Sequence, residues 1–283
     1  MISGRTVNLG VIGHPIAHSL SPVMQNAAIE RAGLDYAYIA MPVEPEDLPS
    51  AVAGLRALNF RGFNVTIPHK SAIIPFLDEI SDGAKIIGAV NTVVNDGGRL
   101  IGHNTDVDGF IDAMHAKNVA AAGKSVALYG AGGAARAVIC GLMRDGASEI
   151  NVGVRNPSKA QGILESFAPH GAIKIFDWSG ADFEVAAMRA DIIVNTTPLG
   201  MHPNIDEMPP VDFSRVKDDA FFYDIIYTPS PTRLMREARE RGHEVLGGAA
   251  MLVRQGAVAF RLWTGTDADE GIMMEKLKEM LDN

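Results

Sequence analysis

The feature that most constrains this chain is a strand, turn and helix near its middle. Ser125–Tyr129 is an apolar strand, Gly130-Ala131-Gly132-Gly133 follows, and Ala134–Arg144 is a small, apolar helix closed by Gly146. A strand without polar alternation is buried on both faces, which calls for a parallel sheet covered by helices on either side. The neighbouring segments keep that rhythm. Glu149–Val154, Asp191–Asn195, Phe221–Ile225 and Glu244–Leu246 read as strands, and Ser158–Phe167 as a helix. Nearer the N-terminus, Val7–Ile12, Tyr36–Met41 and Gly62–Thr66 read as strands. Pro22–Ala32, Glu46–Leu58 and Ser71–Ile80 read as helices. Val90–Asn95 and Arg99–Ile101 form an expected hairpin around Asp96-Gly97-Gly98. One or two closing helices follow Val258.

The glycine turn fits G-x-G-x-x-A, directly after a strand and opening a helix. Small residues let the backbone approach a pyrophosphate, and a helix N-terminus offers unpaired N–H groups and positive potential. The alternative is a tight turn that needs Gly for its backbone alone. The next strand discriminates between nucleotides. A site for NAD carries an acid near that strand's end, to bind the ribose 2′-OH. Here the strand ends Val154-Arg155-Asn156-Pro157-Ser158-Lys159, with no acid. Arg155 and Lys159 suit a 2′-phosphate, with Asn156 and Ser158 donating, which favours NADP. Both cations would also serve as ordinary surface charges.

Composition narrows the function class. The 283 residues suggest two domains, at about 150 residues each. An apolar fraction of 47% supplies a sizeable core, and 21% charged residues speak against wholesale disorder. A net charge of −9 argues against nucleic-acid and anionic-membrane partners. Cys140 is the single cysteine, so no intrachain disulfide is possible and a reducing compartment is expected. Its apolar neighbours make it a structural thiol rather than a nucleophile. The N-terminal stretch lacks a signal-peptide pattern, and no apolar run reaches the length of a membrane span, so the cytoplasm is the expected location.

Three polar clusters lie where a core would not need them: Gly13–Pro22, Asn64–Lys70, and Gly88–Thr92 with Asn104-Thr105-Asp106. Ligands of open α/β sheets sit beyond the carboxyl ends of strands. Hydroxyls, amides, Lys70 and Asp106 gathered there would suit a small polyhydroxylated acid. Lys70 and Asp106 form the candidate acid/base pair. A carboxylate beside a lysine favours the ammonium, burial opposes it, and a lysine so poised can exchange a proton with a hydroxyl or carbonyl. Structural alternatives stand beside each: Ser21 as an N-cap before Pro22, Thr105 or Asp106 as the cap of a helix to Lys117, Lys70 as a solvated loop residue. His14 and His18 flank Pro15 and do not share a helix face, so no metal site is expected.

In order along the chain, these segments resemble the shikimate dehydrogenase family. Gly13-x-Pro15 with His18-Ser19-x-Ser21-Pro22 is similar to its substrate-carboxylate motif, and Asn64-Val65-Thr66-x-Pro68-x-Lys70 to its catalytic-lysine motif. Gly88–Thr92, Asn104–Asp106 and Gly130–Ala134 match the next three. Thr197-x-x-Gly200-Met201, Asp224-x-x-Tyr227-x-Pro229-x-x-Thr232 and Gly247-Gly248 through Met251-Leu252 to Gln255 complete the series. The resemblance implies two α/β domains with an active-site cleft between them. A substrate domain would comprise 1–105 with 248–283, and a Rossmann-type, doubly wound NADP-binding domain 106–247. The implied reaction is reversible reduction of 3-dehydroshikimate to shikimate with NADP(H), on the way to chorismate and aromatic amino acids. By the same resemblance Ser19, Ser21, Thr66, Asn91, Asp106, Tyr227 and Gln255 hold the substrate, and Lys70 is the acid/base group beside Asp106. Gly130, Ala131, Gly132, Gly133 and Ala134 line the cofactor with Val154, Arg155, Asn156 and Lys159, and Asp82, Ile225 and Gly248 lie near it. Many NADP-using members carry Asn-Arg-Thr where this chain has Val154-Arg155-Asn156. A quinate/shikimate dehydrogenase using NAD(H) or both cofactors is therefore the alternative, and a non-catalytic dinucleotide sensor a second one. Either a monomer or a homodimer is compatible with the sequence.

Overall fold

A computed structural model describes residues 2–164, 167 and 173–281, apart from the side chains of 161, 163 and 164. The chain forms two compact units, Met1–Gly109 with Val253–Asn283, and Phe110–Leu252.

The first unit is built on a six-stranded mixed sheet. Strands β1 (Val7–Gly13), β2 (Tyr36–Pro42) and β3 (Gly62–Val65) are parallel neighbours in the order β2-β1-β3. β5 (Thr92–Asp96) and β6 (Arg99–His103) continue the sheet as an antiparallel hairpin, and β4 (Glu79–Ile80) lies at its far edge. The hairpin turns on Gly97 and Gly98, both with positive φ, as a two-residue loop matched to strand twist requires. Helices α1 (Ser21–Arg31), α2 (Leu48–Ala57) and α3 (Asp82–Ile87) belong to this unit. A core of Ile12, Leu48, Val52, Phe63, Val65 and Val93 lies between α2 and the sheet.

The second unit carries a fully parallel six-stranded sheet in the order β12-β11-β10-β7-β8-β9. Its strands are β7 (Ser125–Tyr129), β8 (Glu149–Val154), β9 (Ile173–Asp177), β10 (Ile192–Asn195), β11 (Phe221–Asp224) and β12 (Val245–Gly247). This is the doubly wound order of dinucleotide-binding folds, with the reversal beside β7. β7, β8, β10 and β11 are almost wholly buried, as expected of continuous apolar runs. Helix α4 (Asp106–His115) leads in. Helices α5 (Gly133–Arg144), α6 (Pro157–Leu164), α7 (Ala181–Arg189) and α8 (Arg233–Glu240) follow. Cys140 is partly buried on α5, packed against this core.

Several expected elements differ. Ser71–Ile80 is not a helix: it is a turn, a short 3-10 segment at Ile74–Phe76, and the edge strand β4. Pro75 sits in the middle of the segment and removes the N–H an α-helix would use. Ser21 does not cap α1: Leu20 occupies that position without a side-chain bond, and Ser21 is the first helical residue. The expected helix Ser158–Phe167 is present through Leu164, and its continuation over 165–166 lies outside the described residues. The sheet also gains β9, which the sequence reading passed over.

Helix α9 (Gly248–Thr264) and α10 (Glu270–Leu281) close the chain. Trp263 of α9 donates its ring N–H to the Val93 carbonyl at 2.9 Å. A Cβ on Gly62 would collide with that ring, so glycine is required beneath it. One turn and more toward the N-terminus of α9, Gln25 Nε2 donates to the Gly256 carbonyl at 2.9 Å. These two contacts fix the register of α9 on the first unit, and with it Gln255. Gly62→Ala should cost about 2 kcal/mol or more, the range for overpacking a filled core. A thermal melt matching wild type would show that α9 is anchored some other way.

Candidate active site

The polar residues singled out in the first unit converge on one point. Lys70 follows β3 through a turn anchored by His69, whose ring Nε2–H donates to the Val43 carbonyl at 2.8 Å. The Val90 N–H donates to the Lys70 carbonyl at 2.7 Å, tying this turn to the start of β5. Asp106 opens α4 and is almost fully buried. The Lys70 Nζ donates to Asp106 Oδ2 at 2.6 Å, and the lysine side chain retains 21% exposure. The solvated-loop alternative for Lys70 is thereby set aside. A pair this short with one open side is positioned to bring a proton from solvent to a ligand.

Asn91 organises the pair. Its Nδ2 donates to Asp106 Oδ1 at 2.8 Å and to Thr105 Oγ1 at 2.9 Å, while its Oδ1 accepts the Thr105 N–H at 2.8 Å. Gln255 Oε1 lies 3.3 Å from the same Nδ2. Asp106's own N–H donates to Asn104 Oδ1 at 3.1 Å, so Asn104 and not a free cap satisfies that turn. Thr66 is half-buried at the end of β3, with its N–H donating to the Ile12 carbonyl at 3.0 Å. A Cβ on Gly13 would press on the Thr66 methyl, which explains glycine in that loop. Ser19 and Ser21 are half-buried at the start of α1, and Ser19 Oγ accepts the Ser21 N–H at 3.4 Å. Asp82 stands apart, exposed in the first turn of α3 and paired with Lys85 at 2.9 Å. That pairing holds its carboxyl below the ordinary range.

The second unit supplies a different surface, made mostly of backbone. Gly130 has φ +105° and a Cβ there would meet Thr196 Oγ1 at 2.7 Å, so both conformation and space demand glycine. Beyond it, a Cβ on Gly132 or Gly133 would meet nothing within 4 Å. No side chain caps α5 at Gly132. Ala131 and Ala134 complete a half-open rim whose amide groups and helix N-terminus suit a phosphate. Thus the residues present fit a dinucleotide pyrophosphate. Arg155 and Lys159 are exposed beyond β8, and the Arg155 guanidinium lies 5.9 Å from the centre of the Trp178 ring. Val154 is buried in the core and offers only its carbonyl, which accepts the Trp178 N–H. Asn156 Oδ1 accepts the Lys159 N–H at 3.1 Å and so caps α6.

Near the ends of β10 and β11 lies a network the sequence reading quoted but did not weigh. Asp224 is buried and accepts from Thr232 Oγ1 at 2.7 Å, the Ile226 N–H at 3.1 Å and Asn195 Nδ2 at 3.1 Å. Asn195 Oδ1 in turn accepts from the Thr197 hydroxyl at 2.7 Å. Burial raises Asp224 to a pKa of about 6 despite those donors. The network holds the chain that carries Ile225 and Tyr227. Burial likewise raises the Tyr227 phenol above its ordinary value. A Cβ on Gly248 would collide with the Ile225 carbonyl, so this crossing of main chains admits only glycine. Buried amides inside apolar strands, Asn64 and Asn195, were the signals available in the sequence for these networks.

A lysine–carboxylate pair ringed by hydroxyls and amides, with a separate glycine-turn cradle for a dinucleotide, defines a nicotinamide-dependent oxidoreductase. Comparison with known proteins narrows the class. The profile of the shikimate dehydrogenase substrate binding domain matches residues 11–93, and that of the shikimate 5'-dehydrogenase C-terminal domain matches 248–278. A shikimate dehydrogenase (NADP(+)) of Carboxydothermus hydrogenoformans is 44% identical over 276 residues, covering 98% of either chain. The chain belongs to the shikimate dehydrogenase family. The structure of shikimate 5-dehydrogenase from Thermus thermophilus in complex with NADP(H) and shikimate is similar with a TM-score of 0.87 at 37% identity, over 97% of this chain and 99% of that one. A quinate dehydrogenase from Corynebacterium glutamicum in complex with NAD is similar at 0.89 and 34% identity, over 97% and 99%.

The raised Asp224 value sets a pH dependence. The folded state holds this proton more tightly than the unfolded chain, so its contribution to stability falls as pH rises from about 4 to 6 and is flat above. Denaturation midpoints of wild type and Asp224→Asn should therefore diverge across that window, wild type losing about 2–3 kcal/mol relative to the variant. A constant difference from pH 4 to 7 would mean that Asp224 is ionised throughout.

Proposed function

We propose that this chain catalyses the reversible NADPH-dependent reduction of 3-dehydroshikimate to shikimate, on the route to chorismate and the aromatic amino acids. The observation that carries the proposal is the 2.6 Å contact of Lys70 with a buried Asp106, held from behind by Asn91. When bound, NADPH supplies the hydride. Lys70 donates a proton from Nζ to the ketone oxygen as that oxygen gains charge, yielding the hydroxyl. Asp106 Oδ2 holds the ammonium in place and its partial exposure lets the lysine recover a proton from water. In the oxidative direction the same lysine takes the hydroxyl proton. Ser19 and Ser21 bind the substrate carboxylate, and Thr66, Asn91, Asp106, Tyr227 and Gln255 bind its ring hydroxyls. Gly130 to Ala134 receive the pyrophosphate, Arg155 and Lys159 the 2′-phosphate, and Asp82, Ile225 and Gly248 complete the cofactor's surroundings.

A cytoplasmic location is supported by the lone cysteine, which suits a reducing compartment; no described helix is long and apolar enough to cross a membrane. A second reading, a quinate/shikimate enzyme using NAD, is favoured by one observation. Val154 is buried and the Asn156 oxygen is engaged as a cap, so the 2′-phosphate depends mainly on exposed cations.

The decisive experiment is a steady-state comparison of shikimate and quinate, each with NADP and NAD. Shikimate with NADP should dominate, and Lys70→Ala should lower that kcat by about 100-fold or more while the protein stays folded. Comparable turnover of quinate or with NAD supports the second reading. Silence in all four assays from folded protein leaves the non-catalytic sensor. Arg155→Ala should raise KM for NADP by about tenfold or more, with little effect on NAD. Equal losses for both cofactors would remove Arg155 from phosphate recognition.

A further inference from the structure

We infer that Tyr38, Asn64 and Thr92 are positioning residues for the acid/base pair, forming a buried hydrogen-bond string that ends on Asp106. The inference rests on the reading of Lys70 and Asp106 given above. Tyr38 Oη donates to Asn64 Oδ1 at 2.6 Å, and Asn64 Nδ2 donates to Thr92 Oγ1 at 3.0 Å. Thr92 Oγ1 donates to Asn91 Oδ1 at 3.0 Å, and Asn91 Nδ2 reaches Asp106. All five residues are buried, so water cannot replace a lost partner.

The orientations of both amides in the string are fixed. The Asn91 main-chain carbonyl can only accept, and Asn64 lies 3.0 Å from it, so Asn64 presents Nδ2 there and Oδ1 to Tyr38. The single Tyr38 proton is thereby committed to Asn64. At the other end the Thr105 N–H can only donate, so Asn91 presents Oδ1 to it and Nδ2 to Asp106. Thr92, already accepting from Asn64, gives its own proton to that same Oδ1 at 3.0 Å, the shorter of its two donor contacts, Thr105 Oγ1 lying at 3.3 Å. Every donor thus points toward Asp106, whose Oδ2 is left to hold Lys70.

Tyr38→Phe and Thr92→Val test the string in shikimate oxidation with NADP. Each should lower kcat by about tenfold, the equivalent of one buried hydrogen bond. KM for shikimate should not rise in either variant, because Tyr38 and Thr92 support the acid/base pair from behind and touch no substrate. Thr92→Ser should restore kcat to within about twofold of wild type, and the double variant should be no worse than the poorer single one, since both act on one string. Wild-type kcat in either single variant, a KM that climbs as kcat falls, or Thr92→Ser as poor as Thr92→Val would overturn the inference. If wild type itself does not oxidise shikimate, the functional reading fails separately. The string is then judged in the ligand-free protein by solvent exchange of the Asn91 side-chain amide protons. Faster exchange in Thr92→Val than in wild type and Thr92→Ser supports it; equal exchange in all three overturns it.

Discussion

The contact on which the first unit's polar interior depends is the one between Asn91 and Asp106. A buried carboxylate facing a lysine is stable only if its remaining oxygen has a donor. Asn91 provides that donor at 2.8 Å and is itself held from several sides, by the Thr105 N–H and the Thr92 hydroxyl on its oxygen. Its main-chain atoms also bridge strands: its N–H donates to the His103 carbonyl and its carbonyl accepts the Val65 N–H. Asp106 is therefore tied to the sheet through Asn91, and Lys70 is held against it from a turn whose carbonyl accepts the Val90 N–H. That rigidity suits proton transfer, where small displacements of the donor are expensive.

The two units offer different surfaces. The first presents side-chain hydroxyls and amides around a charged pair, which suits a small polyhydroxylated acid. The second presents main-chain amides at a glycine turn, which suits a pyrophosphate. Gly130 and Gly248 show how little freedom this leaves: a methyl at the first meets Thr196, and at the second the Ile225 carbonyl. The buried Asp224 and Asn195 then pin the loops after β10 and β11, so that flexible-looking segments start from fixed points.

What could be read from the sequence followed the strength of local physics. β7, the glycine turn and α5 were legible because an apolar run, positive φ and small residues agree with one another. Over Ser71–Ile80 the apolar residues Ile73, Ile74, Leu77 and Ile80 recur at helical spacing, yet Pro75 denies an α-helix its N–H and the segment folds otherwise. α8 escaped notice since its sequence, Arg-Leu-Met-Arg-Glu-Ala-Arg-Glu, hides three buried residues among charges. β9 is only partly buried and lies at a sheet edge, where alternation is weak. For the site, Lys70 and Asp106 stood out as charges at strand and helix ends. Tyr38 did not, because an aromatic residue in an alternating strand reads as core until its hydroxyl is seen facing Asn64.

Cofactor choice was the least legible feature, for a reason visible at β8. The strand's apolar pattern runs through Val154, whose side chain the core requires, and Asn156 is consumed by starting α6. Neither position is free to read the nucleotide through its whole side chain. On the reading proposed above, selectivity then rests on the exposed Arg155 and Lys159, the Arg155 guanidinium lying near the Trp178 ring. An exposed guanidinium gains its strength from what it binds and is weakened by salt, unlike a buried pair. On that reading substrate recognition is written in the pattern of buried polar residues, whereas nucleotide preference hangs on surface charges that the same fold would tolerate losing.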